Sequence, residues 1–165
     1  MTNRRSQLAA CVAVGLLLLT RGQTAQGGCT ATVMSPLVGT DSTRSQVASL
    51  SGDGTVMAYD VDEDTSDGDL NLSVWVFNRL GCDGELVSLS FSGGAVNGSS
   101  EAPSISDDGR QVAFVSAGSN IVMGDTNAAT DVFVRDRTLG TNERISVDSN
   151  ETQANGASSA PQISG

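Results

Sequence analysis

Acidic residues and serines are the side chains of this sequence with chemical potential, and they form no catalytic group. The 165-residue chain has nineteen Asp and Glu but no histidine. A Ser-His-Asp triad is therefore excluded within it, because the serine lacks its usual general base. Carboxylate pairs for glycoside hydrolysis exist by residue type, but no pair stands in an aromatic, sugar-stacking neighbourhood, since aromatic residues are only 4%. We expect no enzyme activity from this chain.

Two acidic stretches raise the question of a metal ion. The denser one runs from Asp60 to Asp69, but an EF-hand loop starting at Asp60 would need glycine at Thr65 and glutamate at Asn71. We therefore expect a solvated acidic loop there, and no metal or other cofactor. Weak Ca²⁺ binding by such acidic loops stays open as the alternative.

The second acidic stretch contains Asp125, Asn127 and Asp131. These side chains could gather around a cation. Asp and Asn also satisfy the free amides of a loop, and we favour this capping role. The nearby arginines Arg135, Arg137 and Arg144 are expected to lie at a sheet edge and to pair with neighbouring acids.

The first residues have the three parts of a secretory signal. Arg4 and Arg5 are followed by an apolar run from Leu8 to Leu19, which is too short for a membrane span, and small residues surround a cleavage point after Ala25. Residues 1–25 are predicted to be a signal peptide. The chain is then exported to the periplasm or the cell exterior, with no membrane span after cleavage.

Two rival signals fit the same residues less well. The lipoprotein-like box ends at Cys11, before the apolar run instead of after it. The Arg4-Arg5 pair fits a twin-arginine signal, although Gln7 replaces the usual apolar residue. All three alternatives predict export.

Export determines how the cysteines are interpreted. If Cys11 leaves with the signal peptide, Cys29 and Cys82 remain as an even pair in an oxidising compartment, and we predict a disulfide between them. Two free thiols, or a partner beyond this sequence, remain alternatives. A metal site is less favoured because the chain has no histidine and no closely spaced cysteines.

The charge disfavours two classes of partner. The formal net charge is −10 and the sequence pI is about 4.1. Such a surface repels phosphate backbones and anionic lipid headgroups. We therefore expect no nucleic-acid partner and no electrostatic docking on membranes.

Short segments of alternating apolar residues, separated by Gly, Ser, Asn and Asp, predict an all-β chain. The strands that we predict are Thr32–Ser35, Gln46–Ser51, Thr55–Asp60, Leu72–Asn78, Glu85–Ser90, Pro103–Ser106, Arg110–Ser116, Asp131–Asp136, Glu143–Asp148 and Pro161–Ser164.

One hairpin motif recurs along the chain. PSISDDGRQVAF at Pro103–Phe114 has an altered copy at Val47–Tyr59 and the start of a third copy at Pro161. Gly54 and Gly109 occupy the same turn position, where a tight hairpin needs positive φ. Four strands in a period above fifty residues indicate a propeller blade.

The repeat divides the chain into five parts. A lead-in at 26–45, which could carry a closing strand, follows the signal peptide. Repeat 1 covers 46–102, repeat 2 covers 103–160, and 161–165 begins a truncated repeat 3. The predicted fold is an all-β partial β-propeller with about two four-stranded antiparallel blades and the first strand of a third.

The repeats resemble those of bacterial TolB-like proteins, which are exported WD-like β-propellers. The resemblance is strong over Pro103–Gly165, including GDTN, DVFVRDRTLGTNERISV and QANGASSAPQIS, and moderate over Val47–Ser90. The chain departs from the pattern at Asp60–Asp69 and at the Gly81–Asp83 corner. The resemblance implies a ring of four-stranded blades that acts as a rigid binding platform, and it implies no catalytic residue.

The expected function is that of a non-enzymatic, exported β-propeller scaffold that binds a protein or glycan partner in the cell envelope, as a fragment of a larger propeller. The alternative is the propeller portion of an exported hydrolase, such as a peptidase, whose catalytic domain is missing. Since two blades do not close a ring, self-association of three copies into six blades is a further possibility, as is a marginal, partly unfolded product.

Overall fold

The computed structural model describes residues 17–20, 30–33, 47–62 and 71–165, the first two ranges as strands only. The described residues form strands and turns, and no helix among them could cross a membrane. The strands are β1 (Leu17–Thr20), β2 (Thr30–Val33), β3 (Ala48–Leu50), β4 (Val56–Asp62), β5 (Leu72–Asn78), β6 (Asp83–Leu86), β7 (Ser100–Ile105), β8 (Gln111–Ser116), β9 (Asp131–Asp136) and β10 (Thr141–Arg144).

Two antiparallel sheets of four strands make up the fold. Their orders are β3-β4-β5-β6, which we call blade 1, and β7-β8-β9-β10, which we call blade 2. Within each of these two sheets, every strand pairs with the strands next to it in sequence, as expected when turns join antiparallel strands. The predicted fold class, an all-β partial propeller with two four-stranded blades, is confirmed.

Strands β1 and β2 form a separate antiparallel pair, with Leu17 opposite Val33. β1 falls within the predicted signal peptide, and the rest of residues 1–25 lies outside the described part of the chain. The signal peptide and its cleavage after Ala25 therefore stay predictions.

The outermost strand of each blade begins and ends earlier than we predicted. The sequence pattern predicts Glu85–Ser90 and Glu143–Asp148, whereas the ladders are Asp83–Leu86 and Thr141–Arg144. A serine hydroxyl ends each ladder. It accepts the hydrogen bond of a backbone N–H on the neighbouring strand, and that N–H would otherwise donate to a carbonyl of the outermost strand. In blade 1 the N–H of Val74 donates to Ser88 Oγ at 3.0 Å.

The expected first strand of a third blade, Pro161–Ser164, forms no ladder in the structure. A strand needs an antiparallel neighbour to pair with, and the described residues provide none for this segment. It is held instead by a bond from the N–H of Ile163 to Ser104 Oγ at 3.2 Å.

The hydrophobic core lies between the two blades. Period-two alternation gives each strand one apolar face, and the inner faces meet in one cluster. Phe114 and Phe133 pack at its centre with ring centroids 5.9 Å apart. The buried members are Ala58, Val74, Val76 and Val87 from blade 1 and Ile105, Val112, Phe114, Ile121 and Phe133 from blade 2.

The same Ser-x-Asp-Gly turn joins the first two strands of each blade. In blade 2, the Ser106 hydroxyl donates to Asp108 Oδ1 at 2.6 Å and accepts the N–H of Gln111 at 2.9 Å. The glycines have the predicted positive φ, +67° at Gly54 and +70° at Gly109. Side chain and backbone together therefore fix the register of each hairpin.

We expect the two turn glycines to differ in their response to alanine. Gly109→Ala should lower the free energy of unfolding by about 2 kcal/mol, since a left-handed alanine costs roughly 1–2 kcal/mol. Its Cβ would also lie only 3.1 Å from Val56 Cγ2. Gly54→Ala should cost about 1 kcal/mol, since φ is unfavourable there too but no atom lies within 4 Å. Urea denaturation measures both losses.

The control is Gly156→Ala, where φ is ordinary and a Cβ would meet nothing within 4 Å. It should change the unfolding free energy by less than about 0.5 kcal/mol. Equal losses for Gly109→Ala and Gly156→Ala would contradict the role assigned to the turn.

Candidate functional site

A shallow depression of about 560 Å³, which is open to solvent and which we call the cavity, lies at one end of blade 2. Two loops form its walls, one before β9 and one after β10. The residues that line it carry mainly amide, hydroxyl and charged groups: Gly124, Thr126, Asn127, Arg144, Glu151, Thr152, Gln153, Ala154 and Asn155. The cavity is suited to a ligand that forms hydrogen bonds.

Gln153 ties the two walls together. Its Oε1 accepts the backbone N–H groups of Thr126 and Asn127, each at 3.1 Å. Its Nε2 donates to the carbonyl of Gly124 and to Thr126 Oγ1. The Gln153 side chain thus links two loops that are 26 to 29 residues apart in sequence.

A buried charged cluster of Asp125, Asp131 and Arg144 adjoins the cavity, and Arg144 is the member that lines it. Arg144 Nη1 is 3.4 Å from Asp125 Oδ1 and 3.9 Å from Asp131 Oδ2. The three side chains are only 3%, 0% and 11% exposed, in the order Asp125, Asp131, Arg144. Ser146 donates to Asp131 Oδ1 at 2.6 Å. The guanidinium is therefore the cation that these two carboxylates share.

The cluster is only partly satisfied. Among the described residues, Asp125 Oδ1 and the Nε and Nη1 of Arg144 have no hydrogen-bond partner. Burial raises the pKa of Asp125, and the nearby charge of Asp131 raises it further, while Arg144 and the backbone N–H of Asn127 oppose the change. The fold therefore disfavours the ionised form of Asp125.

The structure brings together the three residues that we singled out in the second acidic stretch. Asn127 Nδ2 donates to Asp131 Oδ2 at 3.0 Å, and Asn127 Oδ1 accepts the N–H of Ala129 at 3.1 Å. Asp125 contacts Arg144. Within the described ranges no group of three metal-ligating side chains could hold an ion. Ca²⁺ binding stays an untested alternative, since residues 63–70 lie outside those ranges.

The expected pairing of arginines with acids holds for two of the three arginines. Arg144 contacts Asp125, and Arg137 bonds Glu85. Arg135 instead donates to the Gly140 carbonyl at 2.9 Å. We did not predict a role for Gln153 from the sequence. The difference between the repeats could have indicated one, since repeat 1 has Ala95 at the corresponding position, 58 residues earlier.

The first acidic stretch is not the solvated loop that we expected, at least at its start. Asp60 and Asp62 lie in β4 and are 1% and 5% exposed. Asp60 is buried because its carboxylate accepts the backbone N–H of Val47 at 3.3 Å and of Ala102 at 3.2 Å. The carboxylate thereby fixes β7, and the residue that precedes β3, to β4.

Cys82 is disulfide-bonded in the structure. Cys29, its predicted partner, lies outside the described residues, so the pairing of the two stays a prediction. Cys82 has a positive φ of 58°, and the corresponding residue of repeat 2 is Gly140, with φ 69°.

No protein-family model and no curated protein matches the chain. Its structure is similar to TolB from Acinetobacter baumannii, with 19% identity, a TM-score of 0.41, and coverage of 72% of this chain and 25% of that one. A putative TolB from Agrobacterium tumefaciens gives 20% identity, a TM-score of 0.41, and coverage of 61% and 32%. The tricorn protease gives 16% identity, a TM-score of 0.40, and coverage of 54% of this chain and 9% of that one.

The chain resembles TolB. The fold assignment itself rests on the two sheets described above. The chain spans about a quarter of the length of the first TolB structure and about a third of the second.

We expect two aspartates to shift stability with pH in opposite directions. Hydrogen bonds from Ser106 and from the Arg110 N–H lower the pKa of Asp108, so its contribution is present above pH 3.8 and is lost as the pH falls through the folded pKa. Asp108→Asn should therefore be less stable than the unchanged protein at pH 7, and equally stable at strongly acidic pH.

For Asp125 the sign is reversed, because its folded pKa is raised. Its ionisation weakens the fold, so Asp125→Asn should be more stable than the unchanged protein at pH 7. This gain should disappear below pH 3.8, where the residue is protonated in both states. Urea denaturation at a series of pH values tests the predictions for both variants. If Asp108→Asn and Asp125→Asn changed the free energy of unfolding in the same direction at pH 7, the opposite pKa shifts assigned to the two aspartates would be refuted.

Proposed function

We propose that the chain is a non-enzymatic, exported β-propeller scaffold, part of a larger propeller, whose loops bind a protein or glycan partner in the cell envelope. The polar cavity of blade 2 carries this proposal. It is a shallow, solvent-open depression of about 560 Å³, so it supports contact with the surface of a partner and not enclosure of a small ligand. Its walls are loops held on a rigid sheet, which is where binding residues concentrate.

The chemistry of the cavity favours binding over catalysis. Arg144 lines the cavity, whereas the two carboxylates that it contacts, those of Asp125 and Asp131, are only 3% and 0% exposed. A general acid or base must come within hydrogen-bond distance of its substrate. The other side chains of the lining are mainly neutral amides and hydroxyls, such as Thr152 and Asn155, with Glu151 as the exposed acid. These groups can recognise hydroxyls and backbone amides.

The second candidate function is the propeller portion of an exported hydrolase whose catalytic domain lies outside this sequence. Since none of the 165 residues is histidine, a serine hydrolase of this kind would need the base of its Ser-His-Asp triad from outside this sequence. A reading frame that continues into such a domain would favour this candidate.

We expect Gln153→Ala to weaken partner binding by roughly tenfold or more, because it releases both walls of the cavity and removes several hydrogen bonds worth about 1 kcal/mol each. A glycan array and crosslinking to cell-envelope proteins identify the partner, and titration then gives the affinity. The matched control is Thr138→Ala, an exposed residue in the turn after β9.

Equal affinity for the Gln153→Ala variant and the unchanged protein would refute the cavity as the binding site. Turnover of peptide or glycoside substrates by the purified chain would refute the non-enzymatic scaffold.

A further inference from the structure

Three asparagines of the chain stand in the acceptor sequence for N-linked glycosylation, which is Asn-x-Ser or Asn-x-Thr. They are Asn71, Asn97 and Asn150. Asn71 and Asn150 also have an aspartate two residues earlier, which is the extended form that bacterial oligosaccharyltransferases favour. A transferase must reach both the asparagine amide and the hydroxyl two residues later, so the fold determines which of the three sequences can react.

The fold already uses both reactive groups of the Asn97 sequence. Asn97 Nδ2 donates to Ser119 Oγ at 3.0 Å, and Asn97 Oδ1 accepts the backbone N–H of Ser119 at 2.9 Å. The hydroxyl two residues later, Ser99 Oγ, accepts the backbone N–H of Leu72 at 3.1 Å. Because the amide and the hydroxyl are both engaged in the fold, Asn97 is not available to a transferase.

The Asn71 sequence continues into the sheet of blade 1. Leu72 is the first residue of β5 and is 6% exposed. Ser73, whose hydroxyl belongs to the acceptor sequence, pairs with Val61 of β4. A transferase could bind this sequence only after β5 had left the sheet, so Asn71 is also not available in the folded chain.

Asn150 lies instead in an exposed turn after β10. Residues 148–152, which we call the acceptor turn, are all exposed. Asp148 Oδ1 accepts the backbone N–H groups of Asn150 and Thr152, at 2.8 and 2.9 Å. These bonds hold the turn by its backbone, so the Asn150 amide and the Thr152 hydroxyl remain at the surface within one turn.

Repeat 1 shows that a neighbouring blade leaves such a turn accessible. The counterpart of the acceptor turn, 58 residues earlier, is 90–94. In both turns the N–H of the first residue donates to the carbonyl of the fifth at 2.9 Å, and the fourth residue has a positive φ, 61° at Glu151 and 81° at Gly93. Residues 92–94 are exposed although blade 2 packs against blade 1. The acceptor turn therefore stays accessible whether or not a third blade follows blade 2.

We propose that Asn150 is an acceptor site for N-linked glycosylation by an oligosaccharyltransferase of the compartment to which the chain is exported. This inference goes beyond the proposed function, because it concerns a covalent modification of the chain and not a partner bound in the cavity. It rests on the predicted export, on the exposure of the acceptor turn and on the engagement of the other two acceptor sequences by the fold.

The co-reactant is an oligosaccharide linked to a lipid through pyrophosphate. Nδ2 of Asn150 forms a bond to C1 of the first sugar, and the bond between C1 and the pyrophosphate oxygen breaks. The lipid pyrophosphate leaves with the electron pair of that bond, while Nδ2 loses one proton to a base of the transferase. No oxidant or reductant takes part in the transfer.

Mass spectrometry tests the proposal on the purified, folded chain after incubation with a bacterial oligosaccharyltransferase and a lipid-linked oligosaccharide. Trypsin separates the three acceptor asparagines into different peptides, which are 45–79, 80–110 and 145–165. The last of these, which contains Asn150, should gain the mass of one oligosaccharide, and the other two should not. Asn150→Gln and Thr152→Ala should each abolish the gain, whereas Thr152→Ser, which keeps the hydroxyl, should preserve it.

The matched control is Asn71, which has the same spacing of aspartate, asparagine and hydroxyl as Asn150. A synthetic peptide of residues 67–75 presents this sequence without the fold, and the transferase should modify it while Asn71 of the folded chain stays unmodified. An unmodified peptide 145–165 would overturn the proposal. So would modification that persists in Thr152→Ala, or a folded chain in which Asn71 is modified as fully as Asn150.

Discussion

The burial of one sheet face against the next is the interaction on which this structure depends. A four-stranded sheet with an apolar face cannot shield that face alone, and the core here is formed by residues from both blades together. Phe114 and Phe133 are completely buried only because Ala58, Val74 and Val76 cover them. Stability is therefore a property of the contact between repeats, as in other repeat proteins.

Polar contacts determine how the blades align across this apolar face. The N–H of Gly52 donates to the carbonyl of Asp107 at 2.9 Å, and Ile105 N–H donates to Ser49 Oγ at 3.1 Å. A Cβ at Gly52 would lie 3.0 Å from Cγ of the exposed Asp107 side chain, so the two turns approach each other closely at this point. Apolar burial is not directional, and these bonds supply the register that it lacks.

Local patterns in the sequence were sufficient for the inner strands and failed where distant groups intervene. Leu72–Asn78 and Asp131–Asp136 have the predicted bounds because alternation along seven or six residues specifies a strand without outside help. The outer strands end early because serines 14 residues away bond Val74 and Val132. Asp60 looks like part of an acidic loop, yet its partners Val47 and Ala102 lie 13 and 42 residues away.

Comparison of the two repeats distinguishes residues that maintain the blade from residues that are particular to the cavity. Positions where both copies agree, such as Ser51 with Ser106 and Ser88 with Ser146, form the bonds that any blade of this type needs. The copies differ at Asp131, Arg144 and Gln153, which replace Ser73, Leu86 and Ala95. Arg144 and Gln153 line the cavity of blade 2, and Asp131 lies beside Arg144.

A partly satisfied buried charge destabilises a fold, and blade 1 has an apolar or small residue at each of these three positions. The requirement for a stable blade therefore does not explain Asp131, Arg144 and Gln153. These departures from the repeat lie together at a place that carries unsatisfied buried polar atoms, and this convergence is the observation behind the binding proposal.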